Sequence, residues 1–187
     1  MIGKLPWRKR DFGISKMIFN SDSPISTLRF ARAIGPRLQK GDILCLYGEL
    51  GSGKTVFSKG LAEGLGIKKK EVISPSFVLI REHLQGRLPF YHFDLYRLKD
   101  ARSILALGYE EYLFGDGVCV IEWADRLKKL RPKEFLKICL RVTGENSRAI
   151  EITACGKHYQ DYLYHLRHLR APTRCTGGKG RDENFSH

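Results

Sequence analysis

Hydrophobic residues along the chain follow both strand-like and helix-like spacings. Residues 42–47 form an apolar run, which is typical of a strand buried on both faces of a parallel sheet, and residues 117–121 form a second one. Apolar side chains at every fourth position from Phe57 to Leu65 predict a helix over about 54–65. A Gly-rich turn lies between the first strand and this helix, so the pattern predicts a strand–loop–helix unit.

Two further helices are predicted on either side of this unit. Residues 27–39 have a helical pattern with Ser26 or Thr27 as the possible cap, and residues 102–113 have a similar pattern. The side chains expected to face inward from the second of these helices are Ile104, Leu105 and Leu107. Helices thus alternate with strands along the chain.

The remaining strands are predicted as two hairpins. Residues 77–81 and 88–96 are joined around Gln85 and Gly86, and apolar residues alternate over 136–142 and again at 150–152. The fold class predicted from these elements is α/β, with a mostly parallel central sheet flanked by helices and with antiparallel hairpin additions.

The chain divides into a central domain and two terminal segments. We expect an N-terminal extension over 1–17, a domain over 18–156 and a basic C-terminal appendage over 157–187. Residues 159–170 have a helical pattern, but glycine and charged residues dominate after Pro172, so order is expected to fade there.

The composition is that of an ordinary globular protein, with 42% hydrophobic and 28% charged residues among 187. No stretch approaches the roughly 18 apolar residues of a membrane-spanning helix, and no apolar block follows the basic residues near the N-terminus as in a secretory signal. We therefore expect a cytoplasmic protein without a membrane partner. The five cysteines never occur as CxxC, and Cys45, Cys119 and Cys139 lie within apolar runs, which predicts buried thiols rather than zinc ligands or disulfides.

The chain is strongly basic, because 33 lysines and arginines stand against 20 acidic residues and give a formal charge of +13. Such an excess favours a nucleic-acid or phosphate-rich partner without identifying one. Both termini contribute to the excess. The densest internal run, Lys68 to Lys70, is typical of solvated surface.

The Gly-rich turn at residues 48–55 matches the phosphate-binding pattern G-x-x-x-x-G-K-[ST]. Glycines allow backbone N–H groups to turn toward phosphate oxygens, and the following helix adds the positive end of its dipole. Lys54 is expected to reach the β and γ phosphates, and Thr55 places a hydroxyl where Mg²⁺ binds. The residues expected to bind the nucleotide are Gly48, Glu49, Leu50, Gly51, Ser52, Gly53, Lys54 and Thr55.

Two acidic residues are candidates to complete this site. Glu122 follows the apolar run 117–121, at the end of the strand where open α/β sheets bind ligands, and Asp94 lies on the second strand of the first hairpin. Either carboxylate could hold the metal or orient water, and either could instead form a surface ion pair.

Five sequence motifs occur together in this chain. They are Gly-Glu-Leu-Gly-Ser-Gly-Lys-Thr (48–55), Ser-Pro-Ser-Phe (74–77), His-Phe-Asp-Leu-Tyr-Arg (92–97), Leu-Gly-Tyr-Glu-Glu-Tyr (107–112) and Ile-Glu-Trp (121–123). In this combination the chain closely resembles the TsaE (YjeE) family over about residues 23–155. The resemblance implies a P-loop NTPase fold and a small ATPase that uses ATP and Mg²⁺. It also implies TsaD and TsaB as protein partners in forming threonylcarbamoyladenosine at position 37 of tRNA, with the tRNA itself contacted indirectly.

The resemblance implies roles for individual residues. Lys54 would be the phosphate lysine, Thr55 and Glu122 would lie on the metal side, and Asp94 would be an acid required for activity, so Lys54, Asp94 and Glu122 are the expected catalytic residues. Which acid orients the attacking water stays open. Trp123 is expected near the nucleotide, although an aromatic side chain could instead fill the sheet edge there.

The chain departs from the family pattern at two positions. The family usually has Thr where this chain has Ser76, within a segment expected to form a switch-like loop near the γ-phosphate, and a second Thr is common where this chain has Val56. Ser76 keeps a hydroxyl and Thr55 fills the metal position, so we expect these two departures to change the level of the activity and not its kind.

Three other functions are compatible with parts of the sequence. A P-loop kinase for a small metabolite would also use Lys54 and Thr55, but no Arg-rich lid is evident. A GTPase is disfavoured because no N-K-x-D motif occurs. An RNA-binding module could use the basic ends of the chain to contact phosphates.

Overall fold

Seven strands form one sheet in the computed structural model, which describes residues 16–72, 79–98 and 100–167. The strands are β1 (Lys16–Ser21), β2 (Ile43–Tyr47), β3 (Ile80–His83), β4 (Phe90–Asp94), β5 (Val118–Glu122), β6 (Phe135–Val142) and β7 (Arg148–Cys155). Their order across the sheet is β1-β7-β6-β2-β5-β4-β3. The central strands β6, β2, β5 and β4 are parallel to one another, whereas β7, β1 and β3 pair antiparallel at the two sides. The predicted α/β fold with antiparallel additions is confirmed.

Five helices accompany the sheet within these residue ranges. They are α1 (Pro24–Ile34), α2 (Lys54–Gly64), α3 (Ala101–Leu105), α4 (Tyr109–Leu113) and α5 (Lys157–Arg167). Short 3₁₀ segments occur at Gly35–Arg37, Lys69–Glu71 and Ala124–Leu130.

Strand β2 lies between two hydrophobic clusters, one on each face of the sheet. Leu44 and Leu46 point into a cluster that includes buried side chains of α1, α2 and α5, whereas Ile43 and Cys45 point into a cluster with buried side chains of α3 and α4. Side chains of successive strand residues alternate between the faces, so both faces of an apolar run are buried. Cys45 and Cys119 are buried free thiols, and Cys139 is partly buried.

The carboxyl ends of three adjacent strands meet at one edge of the sheet. Strand β2 ends at Tyr47, immediately before the Gly-rich loop, and Leu46 is paired with Glu122 at the end of β5. Glu122 is in turn paired with Asp94, the last residue of β4. The loop and both candidate acids therefore lie side by side.

Helix α1 begins and ends earlier than the predicted span 27–39. Its N-cap is Ser23, whose Oγ accepts a hydrogen bond from the N–H of Ser26, and Pro24 occupies the first turn, where its missing N–H is not needed. The prediction that Ser26 or Thr27 caps this helix was therefore wrong.

The predicted helix over 102–113 is two short helices, α3 and α4. Gly108 separates them with a φ of 64°, a left-handed conformation that interrupts the helical hydrogen-bond pattern. Ile104 is buried as expected, but Leu105 is 47% exposed and does not face inward.

Both ends of the described chain contribute to the packed unit. Strand β1 starts at Lys16 and pairs with β7, so residues 16–17 of the predicted N-terminal extension belong to the sheet. Helix α5 buries Tyr159, Leu163 and Leu166 in the first hydrophobic cluster, so the helix formed by the first eleven residues of the predicted appendage packs with one face against the domain. The rest of the appendage and the Ser-Pro-Ser-Phe segment at 74–77 lie outside the described residues. None of the helices in the described ranges combines the length and the apolar character needed to cross a membrane.

Candidate nucleotide-binding site

The loop between β2 and α2 has the backbone conformation that its glycines predict. Gly51 has a φ of 76°, and Gly53, the N-cap of α2, has a φ of 100°. Both values lie in the left-handed region, which residues with a Cβ rarely adopt. A Cβ built at Gly51 would meet no described atom within 4 Å, and one built at Gly53 would meet only Leu140 Cδ2, at 3.8 Å. The glycines therefore leave open space beside the N-terminus of α2, where an anion can approach the backbone.

Lys54 folds back over the loop. Its Nζ donates hydrogen bonds to the carbonyl oxygens of Gly48 at 2.7 Å and Glu49 at 2.8 Å, and it lies 3.4 Å from Ser52 Oγ. The same ammonium lies 3.7 Å from the centroid of the Trp123 ring, within the range of a cation–π contact. Burial lowers the pKa of the Lys54 ammonium below its ordinary value, and the carboxylates of Glu122, Asp94 and Asp125 act in the opposite direction.

Glu122 is held on three sides. Its Oε2 accepts a hydrogen bond from Thr55 Oγ1 at 2.9 Å, and its Oε1 accepts from Ser58 Oγ at 2.8 Å. His92 Nε2 lies 2.7 Å from the same Oε1. All of these donors come from α2 and the neighbouring strand β4, so the carboxylate is fixed in one orientation against the first turn of α2.

The hydrogen bonds determine the protonation of this buried group. Burial by itself raises the pKa of the Glu122 carboxyl, but the hydrogen bond and electrostatic attraction of His92, together with the hydrogen bonds from Ser58 and Thr55, outweigh it and hold the pKa below its ordinary value. An ionised carboxylate can only accept, so Nε2 of His92 must carry the proton in this contact. His92 therefore orients Glu122 from inside the sheet, where the imidazole is completely buried.

Asp94 lies beside Glu122 at the end of the adjacent strand. Its side chain is buried, and Oδ1 accepts a hydrogen bond from the backbone N–H of Tyr96 at 3.1 Å. Asp94, Glu122, Lys54 and Thr55 all line one cavity of about 460 Å³. The structure thus brings both acids to one cavity with Lys54 and Thr55. Of the other predicted loop residues, Leu50, Gly51 and Gly53 also line this cavity, whereas Gly48, Glu49 and Ser52 do not.

Trp123 lines the same cavity. Its backbone has a φ of 58°, and its ring lies 4.8 Å from the ring of Tyr96, centroid to centroid. Tyr96 and Arg97 are further lining residues. Trp123 is therefore at the candidate site, packed against Tyr96 and the Lys54 ammonium, and its role in binding nucleotide stays a prediction.

Three residues that sequence reasoning did not assign to the site make direct contacts with it. Ser58 and His92 bind Glu122, and Arg148 donates hydrogen bonds to the carbonyl oxygens of Gly51 and Ser52. His92 lies two positions before Asp94 and hence on the same face of β4, a spacing that could have placed it near the site. Arg148 is almost a hundred positions from the loop, and no local pattern predicts its contact.

The side chains present fit a nucleotide with a divalent cation. The oxygens of Thr55, Glu122 and Asp94 are the kind of ligand that Mg²⁺ prefers, and Lys54 with the open loop backbone suits phosphate oxygens. Thr55 and Glu122 could hold the metal, and residues 48–55 could hold the phosphates.

This loop, followed by α2 and flanked by acids from adjacent parallel strands, defines a nucleotide-binding protein with the P-loop NTPase fold. The family model described as "Threonylcarbamoyl adenosine biosynthesis protein TsaE" matches residues 21–150, and the chain belongs to the TsaE family.

Individual relatives agree with this assignment. The chain is 43% identical over 138 residues to the tRNA threonylcarbamoyladenosine biosynthesis protein TsaE of Bacillus subtilis, an alignment covering 74% of this chain and 85% of that protein. It is 41% identical over 132 residues to the protein of the same name from Treponema pallidum, covering 71% of this chain and 96% of the relative. The crystal structure of Bacillus subtilis YdiB superposes with a TM-score of 0.71 at 37% identity, covering 81% of this chain and 94% of YdiB.

Proposed function

We propose that the protein is a cytoplasmic ATPase that binds ATP with Mg²⁺ and supports TsaD and TsaB in the threonylcarbamoyladenosine modification of tRNA. The observation that carries this proposal is the 2.9 Å hydrogen bond between Thr55 Oγ1 and Glu122 Oε2 at the mouth of the phosphate-binding loop. A hydroxyl at the start of the helix and an acid from the adjacent strand are the pair that P-loop NTPases use on the metal side.

The loop residues bind and orient the phosphates in this proposal. Backbone N–H groups of residues 48–55 contact phosphate oxygens, and the Lys54 ammonium exchanges its contacts with the Gly48 and Glu49 carbonyl oxygens for contacts with the β and γ phosphates. Trp123, over which the ammonium lies, keeps one side of Lys54 away from water.

Thr55 and Glu122 would hold the metal. When bound, Mg²⁺ would neutralise the negative charge that develops on the phosphate oxygens. Ser58 and His92 keep Glu122 ionised and correctly oriented, because their hydrogen bonds go to the oxygen that Thr55 does not contact.

Asp94 is the acid that we assign to the attacking water. Both oxygens of Glu122 are engaged by side-chain donors, which suits a fixed role beside the metal. Asp94 lines the same cavity from the adjacent strand and can accept a proton or a hydrogen bond from water. This division of roles separates a metal-side acid from a water-side acid.

Identification of the product tests this proposal against the kinase alternative. The protein is incubated with Mg·ATP, TsaD, TsaB and a bacterial metabolite extract, and inorganic phosphate and phosphorylated small molecules are measured. We expect free phosphate and ADP in equal amounts. Stoichiometric transfer of phosphate to a small molecule would contradict the ATPase assignment and favour a metabolite kinase.

A direct contact with RNA is a second candidate function, favoured by one feature of the surface. A cleft of about 560 Å³ beside β6 has no carboxylate in its lining. The basic residues that line it are Lys128, Lys129, Arg131, Lys133 and Lys137. Lysine and arginine side chains grouped without acids suit a phosphate backbone. The basic residues of 168–187, on which the RNA-binding alternative also depends, lie outside the described residues.

Charge reversal tests this second candidate. We expect Lys128→Glu with Lys133→Glu to weaken binding of tRNA and to reduce the slope of log Kd against log salt by about two, because two phosphate contacts are lost. Lys68→Glu with Lys70→Glu is the matched control, since it changes the net charge equally at another exposed site. Equal tRNA affinities for the two double variants would exclude the cleft as a tRNA-binding site.

A further inference from the structure

Arg148, the first residue of β7, holds two successive carbonyl groups of the phosphate-binding loop. Its Nε donates a hydrogen bond to the carbonyl oxygen of Ser52 at 3.1 Å, and its Nη2 donates to that of Gly51, also at 3.1 Å. The planar guanidinium is suited to such a fork, because its donors lie in fixed relative positions. One side chain therefore binds two successive peptide groups of the loop.

The same guanidinium is anchored in the turn between β6 and β7. Nη1 donates hydrogen bonds to the carbonyl oxygens of Ser147 at 2.8 Å, Gly144 at 3.1 Å and Glu145 at 3.3 Å. Among the described residues, no carboxylate forms an ion pair with Arg148, so its charge is balanced by carbonyl dipoles. Arg148 thus fastens the loop to the turn.

Fixing these carbonyls also fixes N–H groups. The C=O and N–H of a trans peptide group point in opposite directions, and the described chain contains no cis peptide. Holding the carbonyl oxygens of Gly51 and Ser52 therefore sets the direction of the N–H groups of Ser52 and Gly53. The Ser52 N–H points into the loop, where it donates to the Glu49 carbonyl oxygen at 3.1 Å.

Arg148 and Lys54 hold different parts of the loop. Lys54 binds the carbonyl oxygens of Gly48 and Glu49, whereas Arg148 binds those of Gly51 and Ser52. When Lys54 binds a phosphate, it releases the carbonyl oxygens of Gly48 and Glu49. Arg148 binds carbonyl oxygens, which point away from the N–H groups of the same peptides, and it is not a lining residue of the site cavity, so it does not compete with a ligand there.

We propose that Arg148 is a positioning residue of the nucleotide site. It holds the Ser52 N–H in its bond to the Glu49 carbonyl oxygen, fixes the direction of the Gly53 N–H, and thereby sets the affinity for the diphosphate part of the nucleotide, without touching the nucleotide. This inference rests on the proposed nucleotide-binding function, but the ordering of the loop by Arg148 can be measured without a ligand.

Hydrogen exchange of the loop tests the ordering directly. The amide of Ser52, which is hydrogen-bonded to the Glu49 carbonyl oxygen, is followed by NMR in the full-length protein without nucleotide, for Arg148→Ala and Arg148→Lys. We expect exchange at least tenfold faster in both variants, because lysine keeps the charge but cannot hold two carbonyl oxygens in a fork. Arg141→Ala is the matched control, since Arg141 is an exposed arginine of the same hairpin that contacts Glu151 instead. Unchanged exchange in both Arg148 variants would overturn the inference.

Titration calorimetry with Mg·ADP tests the consequence for affinity. We expect Kd to rise at least tenfold in Arg148→Ala and Arg148→Lys and to stay within twofold in Arg141→Ala, at a temperature where circular dichroism shows all three to be folded. A loss in Arg148→Ala that Arg148→Lys fully restores would contradict positioning, because charge alone would then suffice. A wild-type protein that does not bind Mg·ADP would overturn the proposed function and the affinity claim together, while the exchange experiment would still decide whether Arg148 orders the loop.

Discussion

Lys54 is the residue on which most contacts of the candidate site converge. Its ammonium closes the loop through the Gly48 and Glu49 carbonyl oxygens, lies over the Trp123 ring and is attracted by the carboxylates of Glu122 and Asp94. A neutral side chain at this position would remove both the cation that binds phosphate and the hydrogen bonds that close the loop. Effects on nucleotide binding should therefore be larger here than at any other lysine.

Thermal shift measurements test the role of Lys54. Mg·ADP at about 100-fold over Kd should stabilise the wild-type protein by roughly 2.7 kcal/mol, or on the order of 5–10 °C in the unfolding midpoint. Lys54→Ala should abolish most of this shift, whereas the exposed control Lys68→Ala should keep it. An equal shift in Lys54→Ala would contradict the assignment of the phosphate lysine.

The two acids should affect turnover more than affinity. Asp94→Asn and Glu122→Gln remove charge beside the proposed positions of the metal and the water, so each should cost about 2.7–4 kcal/mol in the activation free energy, or about 10²–10³ in rate. Affinity for ADP should change only a few-fold, because backbone N–H groups and Lys54 hold its phosphates. Single-turnover phosphate release and ADP titration measure the two quantities, with the exposed Asp116→Asn as control. Normal turnover in both acid variants would show that the site is misassigned.

At the level of single residues, the sequence predicts the parts of the site that local patterns carry. Lys54 and Thr55 follow from the loop motif, Glu122 follows from its position at the end of a buried strand, and Asp94 follows from its place on the predicted hairpin together with the family resemblance. Ser58 and Arg148 could not be found in this way, because their roles depend on which elements pack together. Ser58, one turn after Thr55, donates a hydrogen bond to Glu122 only because β5 lies beside α2.

Helix α5 shows how an element outside the resemblance can support the central strand. The hydroxyl of Tyr159 accepts a hydrogen bond at 2.7 Å from the backbone N–H of Ile43, the first residue of β2. Leu163 is completely buried in the cluster beneath the sheet. The helix therefore stabilises the strand that leads into the phosphate-binding loop, and removing it would cost packing as well as a backbone hydrogen bond.

Substitution of Tyr159 tests this support. Tyr159→Phe should lower the free energy of unfolding by about 1–3 kcal/mol, because the buried Ile43 N–H loses its acceptor. Tyr162→Phe is the matched control on the same helix, and it should cost less because the Tyr162 hydroxyl lies 3.4 Å from its partner, the Ile34 carbonyl oxygen. Urea denaturation measures both. Equal losses would mean that the contact with Ile43 contributes nothing specific.

The elements that the sequence misplaced share a physical cause. Periodicity locates the apolar face of a helix, but the ends depend on single residues such as Ser23, whose hydroxyl caps α1, and Gly108, whose left-handed φ divides α3 from α4. Strand β1 has a pattern too short to be distinguished without its partner β7. The buried strands β2 and β5, whose apolar runs need no partner to be recognised, were predicted within a residue or two.

At the scale of the whole molecule, the site lies in a cavity that Arg97 and Trp123 help to line. Among the described residues, Arg97 is the lining arginine and so the internal candidate to stabilise charge in the transition state. A missing transition-state cation can cost on the order of 10³–10⁵ in rate. The partners could supply that charge or close the site to water, and we therefore expect the isolated protein to be a slow ATPase.

Steady-state phosphate release from Mg·ATP, measured with and without TsaD and TsaB, tests the central claim most directly. The wild-type protein alone should turn over slowly, and addition of both partners should increase the rate at least tenfold. Lys54→Ala should remain inactive in both conditions, which excludes a contaminating ATPase in the partners. Equal wild-type rates with and without TsaD and TsaB would contradict a partner-activated ATPase, even if nucleotide binding were established.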